Sequence, residues 1–360
     1  MDISKLDKNF ASIKINEPDL IWIDARDKRF SLHGGFYDDI DCTYRRIPKD
    51  VATSISENVE YFAKSTAGLR LRFSTNSPYI AIKAYLNSPW MASHLSITGH
   101  SCFGLSVNGI VKKPFVTDYD EIINCIDNVY KTEKIIYLQN DGQNDIEIQF
   151  PLYNSVVRLE IGLKNGSLIG DYSKNYSYTK PVLFYGSSIT QGACACKPNT
   201  PYFAILSDKL NFDYINLGLS GGAKGEDSII NYISSIDASV YVLDYDHNAD
   251  SVEHLQATHL KMYQKIRKVR PLTPIIFISK PDIKNYDYNY NVLRRDVIID
   301  TYKKAIDLGD KNVYFIDGET FFGDDWMYCT VDDVHPNDLG FYKMAEKIYP
   351  VLKTALDKNQ

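Results

Sequence analysis

From Lys180 onward five short apolar runs alternate with amphipathic stretches, and no other feature of the chain narrows its possible folds as far. Strands are expected at 181–186, 213–218, 239–245, 274–279 and 312–316. Helices are expected near 200–210, 226–235, 251–269, 290–308 and 338–356. Apolar strands separated by helices build a parallel sheet covered on both faces, because each crossover lays its helix against the sheet. The predicted fold class for this half is α/β with a five-stranded parallel sheet. Sites in such sheets form beyond the C-terminal ends of the strands.

The first half has a different period. Leu69–Phe73, Tyr79–Tyr85, Leu105–Gly109, Ile146–Leu152 and Val156–Gly162 are short alternating runs broken by Asn-Gly and Asp-Gly turns. Alternation with such turns predicts antiparallel strands in a β-sandwich. The expected organisation is a sandwich domain over 1–165, a polar linker over 166–180 and the α/β domain over 181–360.

Composition removes several classes of function. A net charge of −6 argues against nucleic acid, which is bound by clustered cations. No apolar run approaches the roughly 20 residues that span a bilayer. The charged start Met1–Lys8 has no apolar signal stretch, so a cytoplasmic location is expected. Cys42, Cys102, Cys125, Cys194, Cys196 and Cys329 are scattered and expected to be free thiols. The tight Cys194-Ala195-Cys196 spacing suits neither an ordinary bridge nor a zinc knuckle and reads as packing beside the Ser188 turn.

Polar residues fall at the strand ends in a telling order. The first strand delivers Ser188 two residues after Gly186. The second delivers Asn216-Leu217-Gly218-Leu219-Ser220-Gly221-Gly222, and the third Asp246-His247-Asn248. Asp332 and His335 stand just before the last helix. A hydroxyl, a base, a carboxylate to orient it and donors for a developing oxyanion are the inventory of nucleophilic acyl transfer. Each piece alone is more often a turn or a helix cap; the ordered set is what points to chemistry.

These blocks resemble the SGNH hydrolase (GDSL esterase/lipase) family over about residues 180–357. Gly186-Ser187-Ser188-Ile189-Thr190 is similar to its first block, Asn216 to Gly221 to its second, and Asp332-Asp333-Val334-His335 to its last. The resemblance implies a flavodoxin-like domain with Ser188 as nucleophile, His335 as base and Asp332 as orienter. It implies an oxyanion hole of the Ser188 and Gly221 N–H groups and the Asn248 amide, with no cofactor and no metal. Gly35–Asp39, Tyr44–Pro48 and Phe150–Ser155 resemble the jelly-roll-like β-sandwich of a bacterial two-domain subgroup, similar to esterases that deacetylate sugars. The expected substrate is a short acyl ester, acetyl above all, on a carbohydrate. The chain departs from the family at Ser187, where aspartate is usual, at Asp246-His247-Asn248-Ala249, and at Cys102-Phe103-Gly104-Leu105-Ser106, where the subgroup has Gly-x-Asp-Leu-Tyr.

Two other readings compete. Asp244, Asp246, His247, Asp332, Asp333 and His335 are all metal-ligand types near one edge, as a metal-dependent hydrolase would need. Alternatively the sandwich binds glycans and the second domain is silent. Trp22, Trp90 and Trp326 could stack on sugars, Trp326 being best placed for a pocket wall, and Lys224, Glu226, Tyr245 and His247 could choose the alcohol.

Overall fold

The computed structural model describes residues 14–87, 92–139, 142–282, 284 and 287–358. The charged start and Trp90 lie outside them. Among the described residues no helix is long and apolar enough to cross a membrane.

The first half carries β1 (Leu20–Asp24), β2 (Ser31–His33), β3 (Phe36–Asp38), β4 (Thr43–Arg45), β5 (Arg70–Thr75) and β6 (Tyr79–Leu86). It continues with β7 (Gly104–Val107), β8 (Ile110–Val111), β9 (Tyr130–Tyr137), β10 (Asn144–Gln149), β11 (Val156–Lys164) and β12 (Ile169–Gly170). Its helices are α1 (Lys49–Ile55), α2 (Glu57–Ala63), α3 (Ile97–His100) and α4 (Tyr119–Ile123). One antiparallel sheet has the order β1-β11-β6-β9 and the other β12-β5-β10-β7-β8, with β2 also on β5. Their alternating inward residues, Leu71 and Phe73, Ile80 and Ile82, Ile146 and Ile148, Leu159 and Ile161, close a common core. This is the expected sandwich. The stretch expected to link the halves is partly structured: β12 pairs with β5, and Tyr172 and Tyr176 both stack on the Arg72 guanidinium.

The second half runs β13 (Val182–Gly186), α5 (Ser188–Gln191), α6 (Tyr202–Leu210), β14 (Tyr214–Gly218), α7 (Asp227–Ser235), β15 (Val240–Asp244) and α8 (Val252–Val269). It ends with β16 (Ile275–Ile278), α9 (Tyr288–Asp307), β17 (Val313–Ile316) and α10 (Asp338–Lys358). The parallel order β14-β13-β15-β16-β17 is the flavodoxin-like arrangement. Both faces are buried, which is why its strands read as apolar runs. Val182 and Phe184 join α6 and α10 on one face, while Leu183 and Tyr185 join α7, α8 and α9 on the other. α1 and α2 were not expected. Their Ala52, Val59 and Ala63 pack into that second face, so a stretch of the first half completes the core of the second.

The seam is polar and buried. Arg46 donates to Ser65 O, Phe62 O, Asn216 O, Asn216 Oδ1 and Gly218 O. Burial pushes its guanidinium down to about 9. Arg70 stacks on Tyr214 and pairs with Asp213, which His33 also contacts at 3.0 Å.

Candidate active site

Ser188 opens the four-residue helix α5 directly after β13. Ser187, buried before it, caps that helix by accepting from the Ile189 N–H at 3.2 Å. A serine fills this capping role as an aspartate does, which accounts for the departure at this position. Gly186 allows the turn: a Cβ there would collide with the Asp244 carbonyl and the Thr190 hydroxyl. Asp244, at the end of β15, accepts from that hydroxyl at 3.1 Å. Burial, with Asp246 and Asp282 adding to it, holds the Asp244 carboxyl well above the ordinary carboxylate range.

At the far end of the chain a tight turn bridges Thr330 and Pro336 before α10. Asp332 Oδ1 accepts from the Val334 and His335 N–H groups at 3.2 and 2.8 Å. Its Oδ2 lies 2.8 Å from His335 Nδ1, and His335 Nε2 lies 2.8 Å from Ser188 Oγ. Burial alone would raise the Asp332 carboxyl, but the His335 backbone and side chain outweigh it and hold it below its ordinary value. An ionised carboxylate only accepts, so Nδ1 carries the proton and Nε2 presents its lone pair to Ser188. The three residues expected to act together are together. The neighbouring Asp333 occupies the left-handed position of the turn, at φ +67°.

The block-two loop reaches the same edge. Gly221 is exposed with φ +75°, a backbone conformation that suits glycine. Asn248, half-buried on a single 3-10 turn after β15, accepts from the Ala223 N–H through Oδ1 at 3.3 Å. Gly221 and Asn248 therefore belong to one hydrogen-bonded corner. Ser220 is tied by its N–H to Gln191 Oε1 at 3.2 Å.

Residues of the first half hold this corner, and these were missed. The Tyr153 hydroxyl lies 2.6 Å from Ser220 Oγ and 3.4 Å from the Ser188 carbonyl oxygen. Asn58 donates to the Ser220 carbonyl at 3.4 Å. His94 stacks on the His335 ring, centroids 5.4 Å apart. The signal that could have found Tyr153 was its place in the Phe150–Ser155 block; Asn58 and His94 carry none.

Other expectations are redistributed. Asp246 pairs with Arg294 at 2.8 Å, and His247 with the buried Asp282 at 2.6 Å. With Asp244 on Thr190 and Asp332 on His335, five of the six metal-type side chains are engaged in four separate contacts. Among the described residues the group of three that could hold an ion is instead His94, Cys194 and His335. Tyr245 is buried with its hydroxyl bonded to that of Thr258, and Lys224 pairs with Asp250. Trp326 is half-buried against the core beneath α10, while Trp22 lies under Lys83 in the sandwich. All six cysteines are free. Gly104, in the altered Cys102–Ser106 segment, packs on Asn199, where a Cβ would collide.

Residues 179–353 match the GDSL-like Lipase/Acylhydrolase family, and residues 20–169 match the N-terminus of SGNH-hydrolase-type esterases. No curated protein matches. A Bacteroides ovatus ATCC 8483 protein described as a GDSL-like lipase superposes with TM-score 0.79 at 26% identity, over 94% of this chain and 98% of that one. The salicylyl-acyltransferase SsfX3 of a tetracycline biosynthetic pathway superposes with TM-score 0.77 at 20% identity, over 94% and 98%. A family two carbohydrate esterase from Clostridium thermocellum, solved with cellohexaose, gives TM-score 0.62 at 14% identity over 91% and 99%. The chain belongs to the GDSL-like lipase/acylhydrolase (SGNH) esterase family, in the two-domain form with an N-terminal β-sandwich.

Proposed function

We propose that this chain is a serine esterase that removes short acyl groups, acetyl above all, from an acylated carbohydrate through an acyl-enzyme on Ser188. The observation that carries the reading is the continuous relay from Ser188 Oγ through His335 to Asp332, with both links at 2.8 Å. His335 Nε2 takes the Ser188 proton as Oγ attacks the ester carbonyl, and Asp332 stabilises the imidazolium that forms. The Ser188 and Gly221 N–H groups and the Asn248 amide receive the oxyanion; losing one such donor costs roughly 10²–10³ in rate. The alcohol leaves with the proton from His335. Water then attacks the acyl-enzyme by the same route and frees the acid.

The carbohydrate part of the reading is supported by the shared two-domain arrangement of the carbohydrate esterases. Those similar in fold include the Clostridium thermocellum enzyme and an acetyl xylan esterase from Butyrivibrio proteoclasticus. A second reading, transfer to an acceptor other than water, is favoured by the likeness to the salicylyl-acyltransferase. Both readings use one acyl-enzyme and differ only in the nucleophile that resolves it.

The test is hydrolysis of p-nitrophenyl acetate, butyrate and octanoate by wild type and Ser188→Ala, with and without EDTA. The expected result is Ser188-dependent activity that falls with chain length and is not lowered by EDTA. Activity retained in Ser188→Ala, or abolished by EDTA, would sink the reading. Added sugar alcohols that speed release of p-nitrophenol and appear as acyl products would select transfer over hydrolysis.

A further inference from the structure

Beside the relay stands a second constellation that shares His335 with it and adds two side chains that acyl transfer does not use. One ring nitrogen each of His94 and His335 and the Sγ of Cys194 all lie within 4.8 Å of one another. The three come from separate places: the loop before α3, the turn after α5 and the turn before α10. Two imidazoles and a thiol are the donors that zinc-type cations choose over hard oxygen ligands. Around a tetrahedral ion such donor atoms stand about 3.5 Å apart, so small side-chain rotations would close the set and leave a fourth position open.

Three local features favour a ligand here over chance proximity. Asp332 already grips His335 Nδ1 at 2.8 Å, so the lone pair an ion would take is that of Nε2, which otherwise faces Ser188 Oγ at 2.8 Å. A carboxylate behind an imidazole is the arrangement that orients metal-bound histidines and raises their basicity. Cys194 is buried, with φ +69°, a backbone region that residues bearing a Cβ seldom occupy. It follows the left-handed Gly192 that ends α5, so the turn carrying Ser188 also places the thiol, which donates to the His94 carbonyl at 3.5 Å. His94 is exposed and stacked on His335, giving an ion a route from solvent.

We propose that His94, Cys194 and His335 form a binding site for a thiophilic divalent cation of the zinc type, and that occupancy switches the esterase off. On binding, the thiol proton passes to solvent, the thiolate and both imidazoles bind the ion, and His335 Nε2 loses the lone pair that Ser188 needs. The inhibitory half rests on His335 being the base proposed above; the binding half does not.

Cobalt is the probe, because a thiolate bound to Co2+ gives a charge-transfer band in the near ultraviolet. Wild type is titrated with Co2+ and competed with Zn2+, and p-nitrophenyl acetate hydrolysis is followed across a Zn2+ titration, each variant being normalised to its own metal-free rate. The expected result is a thiolate band displaced by Zn2+ and inhibition reversed by EDTA. The band is absent in Cys194→Ser. His94→Ala weakens both cobalt binding and inhibition by at least about tenfold, since even loss of an outer-shell partner costs that much. Absence of the band in wild type, its survival in Cys194→Ser, or equal Zn2+ sensitivity in all three proteins overturns the site. A cobalt band without any loss of esterase rate overturns the switch. If wild type hydrolyses no ester, the absorption titration still decides the binding half.

Discussion

At the scale of single residues, Asp332 and Asp333 separate by geometry alone. Asp332 contacts His335 Nδ1 at 2.8 Å and accepts from two backbone N–H groups. Asp332→Asn should therefore lower kcat by about 10²–10⁴-fold, since the imidazole loses both its tautomer and its counter-charge. Asp333→Asn should leave kcat within about threefold of wild type, since Asp333 is exposed and His335 Nδ1 already has Asp332 as its partner. Steady-state kinetics on one ester compares them. A second residue reports on stability. His259 is buried against Tyr245 and Phe277, and burial pushes its imidazole down to about 3. The unfolded chain takes up that proton below about pH 6.5, while the folded chain does not until about 3, so the unfolded state binds more protons between the two. Stability is thus full above the unfolded value and falls by about 1.4 kcal/mol per pH unit on acidification through that window. Urea midpoints against pH should show this slope in wild type and a flatter one in His259→Leu. Equal slopes would show that His259 is not the group responsible.

At the scale of elements, the strand ends decide where chemistry sits. β13 and β14 end in Gly186 and Gly218, each pressed on a neighbouring backbone; a Cβ at Gly218 would collide with the Gln191 N–H. Gly218→Ala should cost on the order of 3 kcal/mol, as overpacking does, read as a lower urea midpoint at unchanged slope. The loop after β14 is held by Tyr153 and Asn58 as well as by Gln191. Tyr153→Phe should lower kcat about tenfold with little change in KM, because the Gly221 N–H acts in the transition state and not in ground-state binding. Equal loss in a Tyr153→Phe, Ser220→Ala double variant would confirm that the two act through one hydrogen bond. The C-terminal strands and helices were legible because a doubly covered parallel sheet writes itself as apolar runs separated by 3.6-period segments. The blocks at Ser188, Gly221, Asn248 and Asp332–His335 were legible because each follows such a run or precedes such a helix. α1 and α2 were not, since seven residues give barely two turns and their buried positions answer to another domain's sheet.

At the scale of the whole molecule, the two halves share one interior. α1 and α2 cover the second half's sheet, and Arg46 is fully enclosed with five oxygen acceptors drawn from both halves. Two of these acceptors are backbone carbonyls at the end of β14, so Arg46 also braces the strand that leads to Gly221. Arg46→Ala should destabilise the protein by about 3–5 kcal/mol, as removal of one partner from a buried polar network does. The unfolding should remain a single transition, because neither half keeps a complete core without the other. Calorimetry that resolved two transitions in wild type would contradict that shared interior. Contacts of this kind escape a sequence reading for a physical reason. Arg46 to Gly218 and Tyr153 to Ser220 join residues far apart in the chain, and no local period records which distant carbonyl a side chain will meet. The same holds for His94 over His335.

The central claim is that Ser188 carries the acyl group, and mass spectrometry of the protein quenched during turnover of p-nitrophenyl acetate tests it most directly. The expected result is one acetyl group on the peptide containing Ser188, accumulating in Asn248→Ala if that variant slows deacylation and absent in Ser188→Ala. Turnover by wild type with the acetyl group on another residue, or undiminished turnover by Ser188→Ala, would contradict it.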